Sequence, residues 1–484
     1  MTGGEDDRGH AADTREASMS GKHRKKAYGT RRTRRKSPLK GKGRDHIEVV
    51  FFPYKASMAD SFKTIYLAAK ADPACNAAWC PIPYFDKNPE GTYSKVHYEG
   101  DSYPDKFEVT RYWEYDVEKR HPDIIFIHNP YDNQNLVTSV HPDYYSSRLK
   151  AFTDLLVYVD YGVPIWVNKD ASMVTGFREE QILPVHLNAD LILGYSEQFV
   201  DYIRHLFAFS RQFPNIKKAD DAKSIAVALG SSKFDCILKN KKEDFSLPAE
   251  WKERIGKKKV FLLNTSLAEL LENNEEHLKE IRHIAETVEE REDIILWWRP
   301  HPLMESTIRS MRPELQSEYD LIFSQVAETG IVDTTDDLYR AVAYSDALWS
   351  SESSMVYLYL ATGKPFTMAS RKKRHPQFQA DEGTTFDAPL QSRLAHMKAH
   401  PGANPGNWNG CVWWDNFQPE DFIGRIRYEH FLERFIHYIV HRDAYPDAAE
   451  YERLSIKMFR DFVTNPDGTA GEHIYHYCKE RVMG

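Results

Sequence analysis

From His46 onward, short runs of β-branched and aromatic residues alternate with longer stretches whose apolar positions recur every three or four residues. "HIEVVFFPYK" predicts a buried strand that ends in a polar turn. "SMADSFKTIYLAAKAD" follows with apolar residues at Phe62, Ile65, Tyr66 and Ala69, the spacing of one helix face, and with Ser57 or Asp60 placed to cap it. "NAAWCPIPYFD", "PDIIFIHNPYD", "LLVYVDYGVPIW" and "ADLILGYSEQF" predict further strands, with helical segments between several of them. A long polar loop separates the first two. Strand and helix alternating in this way predict a parallel sheet covered by helices on both faces.

The pattern breaks at the polar stretch of residues 209 to 224, and a second series begins. "SIAVALGSSKFD", "KKVFLLNTSL", "DIILWWRPHP", "ALWSS" and "KPFTMAS" predict its strands, and "NEEHLKEIRHIAETVEER", "DTTDDLYRAVAYSD" and "SSMVYLYLATG" its helices. The chain therefore reads as two tandem Rossmann-like α/β domains, residues 46–220 and 221–395. A tail, 1–45, precedes them. Residues 396–484 hold a Trp-, Asn- and Gly-rich loop and two helices, "EDFIGRIRYEHFLERFIHYIVH" and "AAEYERLSIKMFRDFV".

Charge changes the picture at the N-terminus. The net charge is −8, yet residues 1–44 carry +9 and the remainder −17. Twelve basic and no acidic residues lie between Lys22 and Arg44, with almost nothing to bury, which predicts a disordered tail. Such a tail is drawn to an anionic membrane surface or polymer, and nucleic acid is the less favoured partner. No apolar run approaches the ~20 residues of a membrane span. The five cysteines, Cys75, Cys80, Cys236, Cys411 and Cys478, are scattered and form no CxxC. This excludes a disulfide framework or zinc cage and predicts a cytoplasmic protein.

Open α/β sheets bind ligands at the carboxyl ends of their strands. In the second series those ends carry Arg299-Pro300-His301-Pro302, Asp333-Thr334-Thr335-Asp336, Ser350-Ser351-Glu352-Ser353-Ser354 and Gly230-Ser231-Ser232-Lys233. Together they supply cationic and hydroxyl side chains beside two helix N-termini, a chemistry suited to phosphate. Ser353 and Ser354 are equally suited to capping the helix they open, and Thr334 with Asp337 fits a capping box. No GxGxxG and no GxxxxGK[ST] occurs, which excludes the usual dinucleotide and P-loop sites. No metal-ligand spacing stands out and no cofactor is implied.

In the order of these motifs the chain resembles the CDP-glycerol glycerophosphotransferases of teichoic-acid synthesis. Arg299 to Pro302 match the RxHP turn of that family, and Gly230 to Asp235 loosely match its GxPR/K-x-D segment. Asp336, Leu338-Tyr339, Ser345-Asp346, Glu352-Ser353-Ser354 and Lys364-Pro365 match the end of its nucleotide domain. The likeness spans roughly residues 155 to 370. It implies the two-domain GT-B architecture, with a CDP-linked donor in the cleft. The donor would be held by Arg299, Lys233, Thr335, Glu352, Ser353 and Ser354. His301 would assist transfer of a polyol phosphate to a lipid-linked or polymeric acceptor at the inner face of the cell membrane. The family commonly carries His-Gly-Thr-Pro at the end of its first domain, where this chain reads Asp160-Tyr161-Gly162-Val163-Pro164. Asp160 or Tyr161 then stands where the catalytic base belongs. Two other readings remain open: a glycosyltransferase of the same fold that uses a nucleotide sugar, and an inactive polymer- or nucleic-acid-binding protein.

Overall fold

The computed structural model describes residues 46–88, 90–163, 181–351, 353–369, 425–445 and 448–484. The basic tail, Glu352 and the Trp-rich loop lie outside these residues. The first lobe contains β1 (Ile47–Phe52), β2 (Cys75–Trp79), β3 (Tyr84–Lys87), β4 (Tyr93–His97), β5 (Ile124–Ile127), β6 (Thr138–Val140), β7 (Leu155–Val159), β8 (Leu191–Gly194) and β9 (Ala226–Ala228). Its main sheet runs β2-β1-β5-β7-β8-β9 with every pairing parallel. The inner strands "IIFI" and "LLVYV" are buried at every position because helices cover both faces. Helix α1 (Lys63–Ala71) packs Ile65, Tyr66 and Ala69 inward, as its spacing predicts.

Two expectations change here. "NAAWCPIPYFD" is two strands in different sheets: after β2 the chain turns at its prolines, and β3 pairs antiparallel with β4 and β6. The polar loop that follows thus contains an edge strand, β4, whose residues are exposed except for half-buried His97. Solvent on β4 removes the apolar alternation that would have marked it. The second change concerns β9, expected to open the second domain. It pairs with β8 and completes the first sheet, so the chain leaves this lobe near Gly230, beyond the expected break at residue 221.

Gly230 adopts φ +89°, and a Cβ there would lie 2.4 Å from the Thr464 carbonyl oxygen, so the crossing requires glycine. Helix α2 (Ser232–Lys239) then leads to the second lobe. Its strands are β10 (Lys259–Asn264), β11 (Ile294–Arg299), β12 (Ile331–Val332), β13 (Ala347–Ser351) and β14 (Phe366–Ala369), all parallel in the order β12-β11-β10-β13-β14. Trp297 and Trp298 on β11 point to opposite faces, and both are fully buried. Trp297 packs on Trp251 and Tyr344, and Trp298 on Tyr319 and Phe323. Two tandem parallel α/β sheets are the GT-B arrangement that the resemblance implies.

The helices of the second lobe used below are α3 (Glu275–Glu289), α4 (Leu338–Tyr344) and α5 (Ser354–Leu360). Beyond the Trp-rich loop come α6 (Arg425–Val440) and α7 (Ala448–Phe462), the two expected helices. A further helix, α8 (Ala470–Met483), was not expected, and it returns to the first lobe. Asp235 of α2 accepts the Ala470 and Gly471 amides at the start of α8 and the Thr64 hydroxyl of α1. At the other end, Asp72 accepts from Tyr475 and Lys479. Ile474, Tyr475 and Cys478 are buried along its inner face, while its outer face is charged.

Candidate functional site

Each sheet has one place where the chain, having built outward in one direction, crosses to the other side. Ligand crevices form there, beyond the carboxyl ends of the strands. In the first lobe this point lies between β1 and β5, and in the second between β10 and β13.

At the second crevice, Asn264 ends β10 directly opposite Ser350 of β13. Its Nδ2 donates to Ser350 Oγ at 2.9 Å and to Ser353 Oγ at 3.1 Å. Ser353 occupies the N-cap position of α5, yet its side chain accepts no amide of its own helix. Ser354, the first helical residue, is exposed. The helix start is therefore left without a side-chain cap, and Ser353 Oγ belongs to the crevice. Thr265 and Ser266 continue the polar rim, with Thr265 Oγ1 accepting from Trp298 Nε1 and Ser266 capping the next helix. A polar Asn-Thr-Ser run directly after an apolar strand is the sequence signal for these residues, which the sequence reading passed over.

The loops beside this crevice are held from within. Asp333, fully buried, accepts from Arg299 Nη1 at 2.6 Å, Trp297 Nε1 at 3.1 Å and the Thr335 hydroxyl at 2.6 Å. Arg299 also donates to the Thr335 carbonyl, and Arg340 to the Thr335 hydroxyl. Arg299 is thus a brace for the 333–337 loop, facing away from a ligand, and Thr335 is turned to Asp333. The expected capping box resolves differently too: Asp337 itself caps α4, accepting the Tyr339 and Arg340 amides. His301 is half-buried, and its Nδ1 accepts the Leu303 amide, so the proton of the neutral ring sits on Nε2. Burial, and then the charge of Lys55 from the first lobe, lower its pKa.

The first-lobe crevice is built by the segments after β1, β5 and β7. Asp160 directly follows β7 and is partly exposed, with the Gly162 amide on Oδ1 at 2.8 Å. Burial pushes its carboxyl up to about 6, against the lowering effects of that amide and of Lys233. Tyr161 beside it is raised well above the usual phenol value by burial. His128, after β5, is fully buried, with Nδ1 on Ser61 Oγ at 2.9 Å and Nε2 accepting the Tyr54 amide at 3.3 Å. Burial and the Lys233 charge drive it down to about 3. With both nitrogens engaged and the ring kept neutral, His128 does not stand in for the family histidine.

Lys233 corrects one expectation. It was placed on the second rim, but α2 carries it to the first crevice, where it forms a buried ion pair with Asp60 at 2.6 Å. Asp60 does not cap α1: its Oδ2 also accepts the Tyr339 hydroxyl of the second lobe at 2.7 Å. The expected residues thus fall into two groups: His301, Arg299, Thr335, Ser353 and Ser354 on the second lobe, and Asp160, Tyr161 and Lys233 on the first. Glu352 lies outside the described residues. Asp60, Asn264 and Lys55 join these groups from segments that sequence reasoning had assigned to helix caps and strand ends. Among the described residues no group of three His, Cys, Asp or Glu is placed to hold a metal ion.

No family model and no curated protein matches the chain. Solved structures do. One described as a putative UDP-N-acetylglucosamine 2-epimerase from Listeria monocytogenes has a TM-score of 0.48 at 13% identity, covering 90% of this chain and 96% of that one. The wall teichoic acid polymerase TagF has a TM-score of 0.47 at 14% identity, covering 90% and 88%. The UDP-GlcNAc 2-epimerase from Neisseria meningitidis, bound to UDP-GlcNAc, has 0.46 at 11%, covering 90% and 100%.

Proposed function

We propose that the protein is a transferase that moves glycerol phosphate, or a similar polyol phosphate, from a CDP-linked donor to a hydroxyl of a cell-surface polymer precursor. The observation that carries this reading is the Tyr339–Asp60 hydrogen bond between the lobes: it joins the first-lobe crevice, which holds a carboxyl at Asp160, to a second lobe whose β10/β13 switch point carries the hydroxyl and amide groups of Ser353 and Asn264. A base for an alcohol and a site for a diphosphate are the two requirements of phosphoryl transfer to a hydroxyl.

In this reading the donor's diphosphate lies against Ser353 and Asn264. Asp160 takes the proton of the acceptor hydroxyl as its oxygen bonds to the phosphorus that bears the polyol. The bond from that phosphorus to the CMP oxygen breaks, and His301 donates a hydrogen bond from Nε2 to the departing phosphate. Arg299, Asp333 and Thr335 keep the loop between strand and helix rigid so that His301 and α4 hold their places. The basic tail would bring the enzyme to an anionic membrane that presents the acceptor. Among the described residues no helix is long and apolar enough to cross a membrane.

Product analysis on a panel of CDP-glycerol, UDP-sugars and GDP-sugars with a polyol-phosphate acceptor tests the reading. Attack on phosphorus releases CMP; attack on a sugar carbon releases a nucleoside diphosphate. CMP release that depends on acceptor supports the proposal. Release of UDP or GDP assigns the chain to glycosyl transfer, and no release from any donor removes the catalytic reading.

A further inference from the structure

A cavity of about 320 Å³ lies at the joint between the lobes. Ile237 of α2 and Asn240 beyond its end wall one side, and Tyr339 of α4 walls the other. Lys241 and Lys242, in the turn after α2, and Lys364, after α5, complete it. Lys364 donates to the carbonyls of Val342, Ala343 and Ser345, so the cavity reaches the end of α4 opposite the 333–337 loop. No residue assigned above to the donor or to the base lines it.

The wall carries one sign of charge. Three ammonium groups line the cavity and, among the described residues, no carboxylate does. Lys242 Nζ sits 4.8 Å from the centre of the Tyr344 ring. The acids whose charge Lys364 feels are engaged elsewhere: Asp346 with Lys259, and Glu452 with Arg442. Asp244 turns back to the Lys241 amide. Burial lowers the Lys364 pKa to about 8, against the effect of Asp346 and with that of Lys242. Like charges on a partly desolvated wall repel, and an anion between them removes that cost. Lys364 has given all three protons to carbonyls, so it offers charge alone. Lys241, Lys242 and the Asn240 amide offer hydrogen bonds. An ammonium is a compact point charge without the planar fork that matches a carboxylate, and several together suit the many-sided oxygens of a phosphate. The volume is at the small end for a ligand pocket, too small for a whole nucleotide sugar.

We propose that this cavity is a second ligand site, for a small polyvalent phosphate, and that its occupant bridges the lobes. Lys241 and Lys242 stand on the chain leaving the first lobe, and Lys364 belongs to the second. Tyr339 lines the cavity and also donates its hydroxyl to Asp60 of the first lobe, so the bridge reinforces an existing interlobe contact. The site is independent of the reaction proposed for the cleft.

Pyrophosphate is the probe, titrated by calorimetry into the full chain at fixed ionic strength, with and without CDP. Wild-type protein should bind it at one saturable site that CDP does not displace. Lys241→Gln combined with Lys242→Gln should weaken that binding by roughly 10-fold or more, because two hydrogen bonds to a charged group are lost. Lys252→Gln combined with Lys257→Gln removes the same charge from exposed positions outside the cavity and should leave the affinity unchanged. Amide hydrogen exchange should slow in both α2 and α4 when pyrophosphate is added. No wild-type binding, equal losses in the two double variants, or displacement by CDP would each overturn the site. Slowed exchange confined to one of the two helices would overturn the bridging role.

Discussion

Asp160→Asn separates the catalytic and structural roles of one carboxyl. Folded, the group titrates near 6, against 3.8 for an ordinary aspartate, chiefly because burial disfavours its charge. It therefore binds its proton roughly 160-fold more tightly in the folded protein, a linkage of about 3 kcal/mol, which partial exposure to solvent lowers to roughly 1–2 kcal/mol. The sign follows from the raised value. The contribution is fully present below the unfolded pKa near 4 and is lost as pH rises through about 6. Activity runs the other way, since a base must be unprotonated. The rate of CMP release should climb from pH 5, bend near pH 6 and level off above it. Asp160→Asn should lower that rate by roughly 10²–10⁴-fold. It should also raise the melting temperature measured at pH 8, because it removes an ionised group from a poorly solvated site. The assays are release of labelled CMP from pH 5 to 9 and thermal unfolding over the same range. A wild-type rate that is flat across pH 6, or a variant that turns over at the wild-type rate, would refute the assignment.

Arg299→Ala should destabilise the second lobe by about 3–5 kcal/mol, because it leaves Asp333 buried without its closest cation; denaturant unfolding measures this, and Arg299→Lys should recover only part of it, since one ammonium cannot serve both Asp333 and the Thr335 carbonyl. His301→Ala should cut turnover roughly 10²–10⁴-fold with CDP affinity changed much less, and His301→Gln should restore activity if hydrogen-bond donation is the role. Ser353→Ala should leave the melting temperature nearly unchanged, since Ser353 caps nothing, while CDP binding by calorimetry weakens by about 1.5–3 kcal/mol. Deleting residues 1–44 should weaken binding to anionic vesicles by roughly 1 kcal/mol for each basic residue that reaches the surface, with turnover of a soluble acceptor unchanged; equal vesicle binding at low salt would contradict it.

The parallel sheets were legible because their strands are short, apolar on both faces and separated by helices of clear periodicity; "DIILWWRPHP" announces both β11 and the turn that carries His301. What escaped the sequence depends on partners distant in the chain. The role of Asp60 is set by Lys233 and Tyr339, 173 and 279 residues away, so local spacing suggested only a cap. β9 shows the same limit, since a three-residue strand carries no sign of which sheet it will join. β4 is an exposed edge and loses the alternation that marks a half-buried strand. α8 is polar along most of its length, and its small inward face becomes apparent only against α1. Ser353 reads as a cap by every sequence rule, and only the position of Asn264 turns its hydroxyl away from the helix.

The most direct measurement is a crystal structure of the protein with CDP bound. The diphosphate is expected between the lobes, with a phosphate oxygen about 3 Å from Ser353 Oγ and another facing His301 Nε2, and Asp160 open to the acceptor side. CDP bound with its phosphates outside this cleft, or directed away from both Ser353 and His301, would contradict it.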